Sequence, residues 1–520
     1  MSKKALAVTL SFLSTLSCFA VSISTAQDKR LKTPGVYIEE KNAFPNSVVE
    51  VATAVPAFVG YTEKAIIKQK TLRNKPVRIS SLAEYEQYFG GAPPTRYTFI
   101  AGDNQSFNLE LASGNYNLYY GMRFFYANGG GPCYIVSVGD YSDTVSTKAI
   151  LGNPDGGLSS LLNEQEPTML VVPDAVLLDI DGWQEVCQQM LAQCGELQNR
   201  VAILDVYDGY RPRDHDADND VISGEVAGFR KRIASDFLSF GVSYYPWLNT
   251  SVVSDANFTN IANPGDMVPS LSAEADQLYP PAKSAKIKQL IGKLNDGLTG
   301  NDAATLHQEL SNITPLYKKI VAELKTQMNL LPPSAGIAGV YTLVDNTRGV
   351  FKSPANVSMN SVLSPAVNIT HEDQEDLNVP LDGKAINAIR TFPGQGILIW
   401  GARTLNGNNS DWRYINVRRT MIMLEQSIKL ALASYAFEPN TSATWTTVRS
   451  MISNFLTNQW KQGALAGATP DDAFFVNVGL GSTMTQNDID NGEMKVSVGV
   501  AIIRPAEFII TNFVQKMQAN

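Results

Sequence analysis

From Val48 onward the apolar positions fall into two rhythms, the period of two that marks strands and the period near 3.6 that marks helices. Val48–Gly60 is a β-branched and apolar run closed by a turn. Ser81-x-x-Glu84 has the form of a capping box and predicts a short helix with Leu82, Tyr85 and Phe89 on one stripe, ended at Gly90-Gly91. Tyr134–Val138 predicts a strand entered from Gly129-Gly130-Gly131-Pro132. Thr168–Val172, Val201–Val206 and Val242–Trp247 are further apolar runs of strand length. Between the first two, Trp183, Val186, Cys187, Met190, Leu191, Cys194 and Leu197 make the stripe of an amphipathic helix, and Phe229–Phe240 reads as a helix before the third. Such alternation predicts βαβ units and a parallel sheet covered by helices, which sets the fold class as α/β.

The texture changes at about 272–331, where Pro280-Pro281 and Pro332-Pro333 bracket a lysine-rich segment. Lys283, Lys286, Lys288, Lys293, Lys318, Lys319 and Lys325 stand among Leu and Ile at helical spacing, which predicts a helical insertion with a solvated basic side. Two long helices follow. Ile415–Phe437 carries Met421, Leu424, Ile428, Leu432 and Tyr435 on one stripe, and Trp445–Lys461 carries Val448, Ile452, Phe455 and Leu456. This pair is rich in cations (Arg418, Arg419, Lys429, Arg449, Lys461), whereas 462–494 holds Asp471, Asp472, Asp488, Asp490 and Glu493 with no Lys or Arg. Lys495–Ile503 then alternates strictly, and Phe508–Val514 is another β-rich strip. A terminal strand has unpaired backbone groups, and a neighbouring chain is one place where they pair.

Composition narrows the classes. At 520 residues the chain is long enough for roughly three domains of about 150 residues. Hydrophobic residues make up 44%, which excludes disorder as the main state. Only 18% of residues are charged, against about 25% in a typical domain, and that points to surface hidden in subunit contacts. The net charge of −8 argues against a nucleic-acid partner reached by electrostatics. Cys18 lies near the start, Cys133 stands alone, and Cys187 and Cys194 share a helix face two turns apart, about 10.5 Å, too far to bond. They read as core residues. Lys3 and Lys4 precede an uncharged stretch from Ala5 to Gln27 ending in Ser24-Thr25-Ala26, the form of a secretory signal cleaved after Ala26. Its many Ser and Thr argue against a membrane span.

Four constellations bear on chemistry. Asp214, Asp216, Asp218, Asp220 and Glu225 match a calcium-loop spacing, but Asn219 replaces the turn glycine, so a solvated acidic loop is expected. His371-Glu372-Asp373 lacks a positioned nucleophile, no G-x-S-x-G elbow occurs, and a surface turn is expected there. Gly394-Gln395-Gly396 lacks dinucleotide-loop spacing and predicts a tight turn before Ile397–Trp400; Gly152–Gly157 has no Lys-Ser/Thr and is no phosphate loop. Three histidines, His215, His307 and His371, leave little for a metal site or a general base. No catalytic residue, metal site, cofactor or small-molecule substrate is expected.

Six segments resemble a known family in chain order: LKTPGVYIEE (Leu31–Glu40), AVPAFVGYTEKA (Ala54–Ala65), RFFYANGGGPCYIVSV (Arg123–Val138), WGARTL (Trp400–Leu405), DWRYINVRR (Asp411–Arg419) and VGVAIIRPAEFII (Val498–Ile510). They resemble the sheath proteins of contractile phage tails and extracellular contractile injection systems, over about 31–520. The resemblance implies a multidomain α/β protein whose middle domain is subtilisin-like without a catalytic triad, with an α+β C-terminal domain and extended β-strand arms at both ends. It implies self-assembly as stacked hexameric rings around an inner tube protein, with baseplate and terminal cap proteins as further partners and no nucleic-acid binding. Assembly in the bacterial cytoplasm within a tail or tail-like particle is implied, while the signal-like start leaves export open.

The expected organisation is a leader-like segment at 1–30, an N-terminal arm and β-rich region at 31–150, the α/β domain at 151–400 with its insertion at about 272–331, and a C-terminal domain at 401–520. The expected donated strands are Thr33, Pro34, Gly35, Val36, Tyr37, Ile38, Glu39 and Glu40 at one end, and Phe508, Ile509, Ile510, Thr511, Asn512, Phe513 and Val514 at the other. Arg418, Arg419, Arg449 and Lys461 are the tube-facing candidates, with pairing to the chain's own acidic segment as the alternative. Two rival classes are an exported surface or adhesion protein and a secreted α/β hydrolase.

Overall fold

Apolar runs without alternation become strands buried on both faces, as a parallel sheet covered by helices requires. The computed structural model describes residues 47–508, apart from 103–105, 112–114, 153–154, 215–217, 255–264, 266, 297 and 299. Strands β1 (Pro56–Tyr61), β2 (Val77–Ile79), β3 (Cys133–Gly139), β4 (Met169–Val171), β5 (Val201–Asp205), β6 (Gly241–Tyr245), β7 (Val357–Ser358), β8 (Asn387–Phe392) and β9 (Gly396–Trp400) form one nine-stranded sheet. Its order is β7-β9-β8-β6-β5-β4-β1-β3-β2. From β3 across to β8 neighbouring strands run parallel; β2 at one end and β9 and β7 at the other are antiparallel. Every residue of β1, β3, β4, β5 and β6 is buried. The predicted Gly394-Gln395-Gly396 turn joins β8 to β9, with the Gln395 N–H donating to the Phe392 carbonyl at 3.1 Å and both glycines at positive φ.

The main helices are α1 (Leu82–Phe89), α2 (Leu118–Ala127), α3 (Ile180–Leu197), α4 (Ser334–Arg348), α5 (Ile415–Ala433) and α6 (Ser442–Lys461). The Ser81 side chain caps α1, and Glu84 turns back to the backbone N–H of Ser80 at 2.8 Å. In α3 the predicted stripe is buried from Trp183 to Cys194, and Cys133, Cys187 and Cys194 are buried free thiols. Helices α2 and α4 pack closely on each other. A Cβ at Gly339 would come within 2.5 Å of the Phe125 carbonyl, so only glycine fits there.

Two buried carboxylates at the ends of adjacent strands fix where α2 and α4 begin. Asp174, just past β4, accepts from the backbone N–H groups of Tyr61 (2.8 Å), Asn117 (2.6 Å) and Leu118 (3.2 Å). Asp205, the last residue of β5, accepts from the Ser334 N–H at 2.9 Å and from the Ser334 hydroxyl. Both satisfy donors at a helix N-terminus, where the dipole favours negative charge. Burial nevertheless pushes Asp174 up to about 6 and Asp205 up to about 7, against the hydrogen bonds that pull the other way.

Three expectations are corrected. Phe229–Phe240 is not one helix: Phe229–Arg232 is a single turn, Ile233 goes extended into the core, and the Ser235 hydroxyl takes the Phe237 N–H, a local bond that competes with helix. His371 opens a helix, His371–Asn378, because Thr370 and Asp373 form a reciprocal capping box. The boundary at 150/151 does not separate two bodies, since β1, β2 and β3 lie in the same sheet as β4, β5 and β6. The helical insertion is present as four helices between Val268 and Met328.

Asp205 sets a pH dependence. Its folded pKa lies above the ordinary aspartate value of 3.8, so folding is opposed more as pH rises toward 7. Thermal stability is therefore expected to rise as pH falls from 8 to 5, and Asp205→Asn should flatten part of that rise; an identical profile in the variant would refute it.

Candidate functional site

Three features of the C-terminal third bear on assembly: the root of the N-terminal arm, the root of the C-terminal arm, and a hairpin with open edges. The first begins at Ser47, where the chain lies extended over the C-terminal helices. The Val51 N–H donates to the Ser427 hydroxyl at 3.0 Å, Gln459 donates to Glu50 at 2.9 Å, and the Thr53 hydroxyl donates to Asp345 at 2.7 Å. Arg419 of α5 closes this knot with two bonds to Asp345 of α4, at 2.9 and 2.6 Å, and a third to the Thr53 carbonyl at 3.0 Å. Both ionic side chains are buried, at 4% and 2% exposure, and the guanidinium lies 4.7 Å from the Tyr341 ring. This bidentate geometry is what a buried Arg–carboxylate pair needs to offset desolvation.

The second root is Glu507. Its carboxylate accepts from Arg403 at 2.9 and 2.6 Å, from Asn378 at 2.7 Å and from the Tyr414 hydroxyl at 3.0 Å. Burial raises its pKa, but these hydrogen bonds and the Arg403 charge outweigh burial and hold it below the ordinary range. The Pro505–Phe508 segment lies along a groove of about 990 Å³ that Trp400, Phe392 and Val379 also line, and Phe508 is exposed where the described chain ends.

The third feature is an antiparallel pair, β10 (Phe474–Val478) and β11 (Val496–Val500). Val448, Ile452, Phe455 and Leu456 of α6 are buried as predicted, and Val476 and Val478 of β10 are buried with them. The opposite face is wet, with Phe475 53% exposed over Gly499. Past β11, the Ala501 N–H donates to the carbonyl of Ala473, the residue just before β10, so odd-numbered residues of β11 turn their backbone groups toward β10. By the same alternation Val496, Val498 and Val500 point theirs outward, and no described strand pairs with that edge. On β10 the outward residues are Phe474, Val476 and Val478. The Phe474 N–H is bonded to Pro470, and the Val478 carbonyl accepts from Arg449 at 2.8 Å.

The predicted site residues divide. Thr33–Glu40 and Ile509–Val514 lie outside the described residues, and Phe508 is exposed at the C-terminal root. Arg418 and Arg419 are corrected: both are interior, so neither presents a charge to a tube. Arg418 sits 3.5 Å from the Trp412 ring and 4.2 Å from Phe240, donates to the Ser239 hydroxyl at 2.8 Å, and is pulled down by burial to about 10. Arg449 and Lys461 are exposed. Pairing with the acidic segment is not the answer for Arg419 either, since its partner is Asp345; Asp472 and Asp488 cap helix turns, and Asp488 and Glu493 hold Lys495. Lys495–Ile503 pairs within the chain on one edge, and no described strand pairs with Val496–Val500 on the other.

Chemistry is sparse. Asp220 is bonded to Arg213 and Ser223, and no cluster that could hold a metal occurs among the described residues. Ser334 and Asp205 meet, but buried; His307 stands beside Tyr317 and His371 pairs with Glu375 on the surface. No helix among the described residues is long and apolar enough to cross a membrane. Arg403, Tyr414 and Glu507 were missed as a set, although all three lie inside quoted motifs.

An α/β body whose described chain ends are tied down by buried ion pairs, with a hairpin edge that no described strand covers, has the features of an assembly protein. The family model for the phage tail sheath C-terminal domain matches residues 407–516. The sheath complex of an extracellular contractile injection system, PVC, in the contracted state, is 30% identical with a TM-score of 0.58, over 94% of this chain and 98% of that one. The contracted helical sheath of the anti-feeding prophage (AFP) is 29% identical with a TM-score of 0.59, over 94% of this chain and 100% of that one. The tail sheath protein of Enterobacteria phage T4 is 25% identical over 39% of this chain, and that of Salmonella phage ViI is 31% identical over 28%. The matches span 31% and 22% of those two phage proteins' lengths. The chain belongs to the contractile sheath family of phage tails and related injection systems.

Glu507→Gln should leave the buried Arg403 guanidinium uncompensated and lower subunit stability by about 3 kcal/mol in denaturant unfolding. Because the folded pKa of Glu507 is depressed, its contribution is present above the ordinary value of 4.5 and is lost as pH falls below that. A variant as stable as the parent at pH 7 would show that Glu507 does not anchor the segment.

Proposed function

We propose that this chain polymerises as stacked hexameric rings around an inner tube and contracts to drive that tube through a target envelope. The observation that carries the reading is the near full-length correspondence with sheaths of contractile injection systems. Baseplate proteins, a terminal cap and the tube are its partners on this reading, and assembly takes place in the bacterial cytoplasm before release. The α/β body serves as scaffold and not as an enzyme. Asp205 at a strand end against Ser334 at a helix start supports a subtilisin-like ancestry for that body, with no histidine bonded to the pair among the described residues.

The arms explain the open hairpin. Thr33–Glu40 of one subunit and Phe508–Val514 of another add as strands to β10–β11 of a third, and main-chain hydrogen bonds hold while the bodies turn. Such a head-to-tail contact does not close on itself, which is what builds a filament. Contraction is then a switch between two lattices, released from the baseplate. Among the tube-facing candidates, Lys461 remains exposed and free to meet an acidic tube surface.

Negative-stain microscopy of native material should show tubes or stacked rings; monodisperse single subunits would overturn the reading. Deleting Phe508–Asn520 should leave a folded subunit that no longer polymerises, and polymers from that variant would return the strand to its own domain. Inserting two or three flexible residues near Asn42–Asn46 adds up to about 3.3–3.6 Å of tether each. Extended sheaths that assemble without contracting are expected, and normal contraction would place the coupling in the globular contacts.

A further inference from the structure

The two edges of the hairpin differ. On β11 the outward backbone groups of Val496, Val498 and Val500 meet nothing among the described residues. On β10 the edge is guarded: the Phe474 N–H is taken by Pro470, and Arg449 reaches from α6 to the Val478 carbonyl at 2.8 Å. Arg449 is exposed, and no carboxylate among the described residues pairs with it. A strand that adds to β10 must move this guanidinium off Val478. The incoming strand's own N–H can replace it at the carbonyl, and a strand that also brings an acidic group to the same place is favoured over one that does not.

One arm does and the other does not. Phe508–Val514 carries no charge, whereas Thr33–Glu40 ends in Glu39-Glu40. Pro34 lacks an N–H and suits only the start of a strand, so pairing begins after it. From there the two-residue period puts Val36, Ile38 and Glu40 on one face and Tyr37 and Glu39 on the other. With Val36 and Ile38 turned to the side of Val476 and Val478, they extend the apolar layer over α6. Glu40 then follows on that same face, the side from which Arg449 reaches. Resting on the strand-exchange reading above, we infer that β10 receives the N-terminal arm of a second copy, parallel to β10, with Arg449 passing from the Val478 carbonyl to Glu40. The open β11 edge is left to the uncharged C-terminal arm. Arg449 is thus a specificity residue: it blunts the edge in the free subunit and favours one arm over the other.

Charge exchange tests this in the full chain, with polymerisation followed by light scattering and microscopy. Arg449→Glu and Glu40→Arg should each raise the critical concentration about tenfold at low salt, less at high salt, and the double variant should recover most of it. Circular dichroism of the unassembled Arg449→Glu subunit should match the parent, since Arg449 is exposed. Normal polymerisation of Arg449→Glu, or no recovery in the double variant, overturns the assignment of arm to edge. Removal of residues 33–40 separates the two levels. If that deletion abolishes polymerisation while Arg449→Glu does not impair it, only the edge assignment falls; if the deletion polymerises normally, the strand exchange beneath it falls.

Discussion

The bidentate pair between Arg419 and Asp345 is the contact on which the rest of the chain's arrangement depends. It joins three segments far apart in sequence: the strap that leads out to the N-terminal arm, helix α4 of the sheet body, and helix α5 of the C-terminal region. A buried guanidinium demands a carboxylate and leaves few alternative geometries, so it fixes register as well as affinity. With Thr53 bonded to both partners, the strap has one seat. The internal strands of the sheet, buried on both faces, supply most of the stability, but this ion pair decides how the C-terminal module is mounted on them.

The same economy governs the α2–α4 layer. Asp174 and Asp205 place the starts of two helices from the ends of neighbouring strands, and glycine at 339 lets those helices touch backbone to backbone. The Asp205–Ser334 pair is a clasp at the start of a helix. Ser334 and Asp205 are bonded to each other and closed off from solvent. Polar groups that suggest catalysis in a list of residues serve as joinery in the fold.

Much of this was legible in the sequence because burial is periodic. The α3 stripe, the capping box before α1, the hairpin turn at Gly394-Gln395-Gly396 and helix α6 follow from spacing, and the quoted motifs pointed to the family; α5 ends at Ala433 and not at the expected Phe437, and Met421 and Leu432 of its expected stripe are only half-buried. What was not legible depended on partners distant in sequence. Arg418 and Arg419 look like a basic patch because a sequence shows charge and not burial; their partners, Ser239 and Asp345, lie 179 and 74 residues away. Glu507 escaped notice for the same reason, its ligands coming from three separate stretches. Phe229–Phe240 failed because a single serine and a buried isoleucine outweighed helical spacing. Membership of β1, β2 and β3 in the central sheet needed the crossover topology, which periodicity cannot supply.

The Glu507 anchor has a mechanical meaning. Under the proposed strand exchange, any pull on the C-terminal arm enters the subunit through the backbone at Phe508 and reaches the body one residue later. There the load divides among the bonds to Arg403, Asn378 and Tyr414, which come from separate stretches of the body. Bonds that share a load do not open one after another as a zipper does, so the anchor behaves as a rivet and the strand beyond it as the rope. Slippage under tension then belongs at the strand junction between copies, where it can re-form, and not at the point where the arm leaves its own fold.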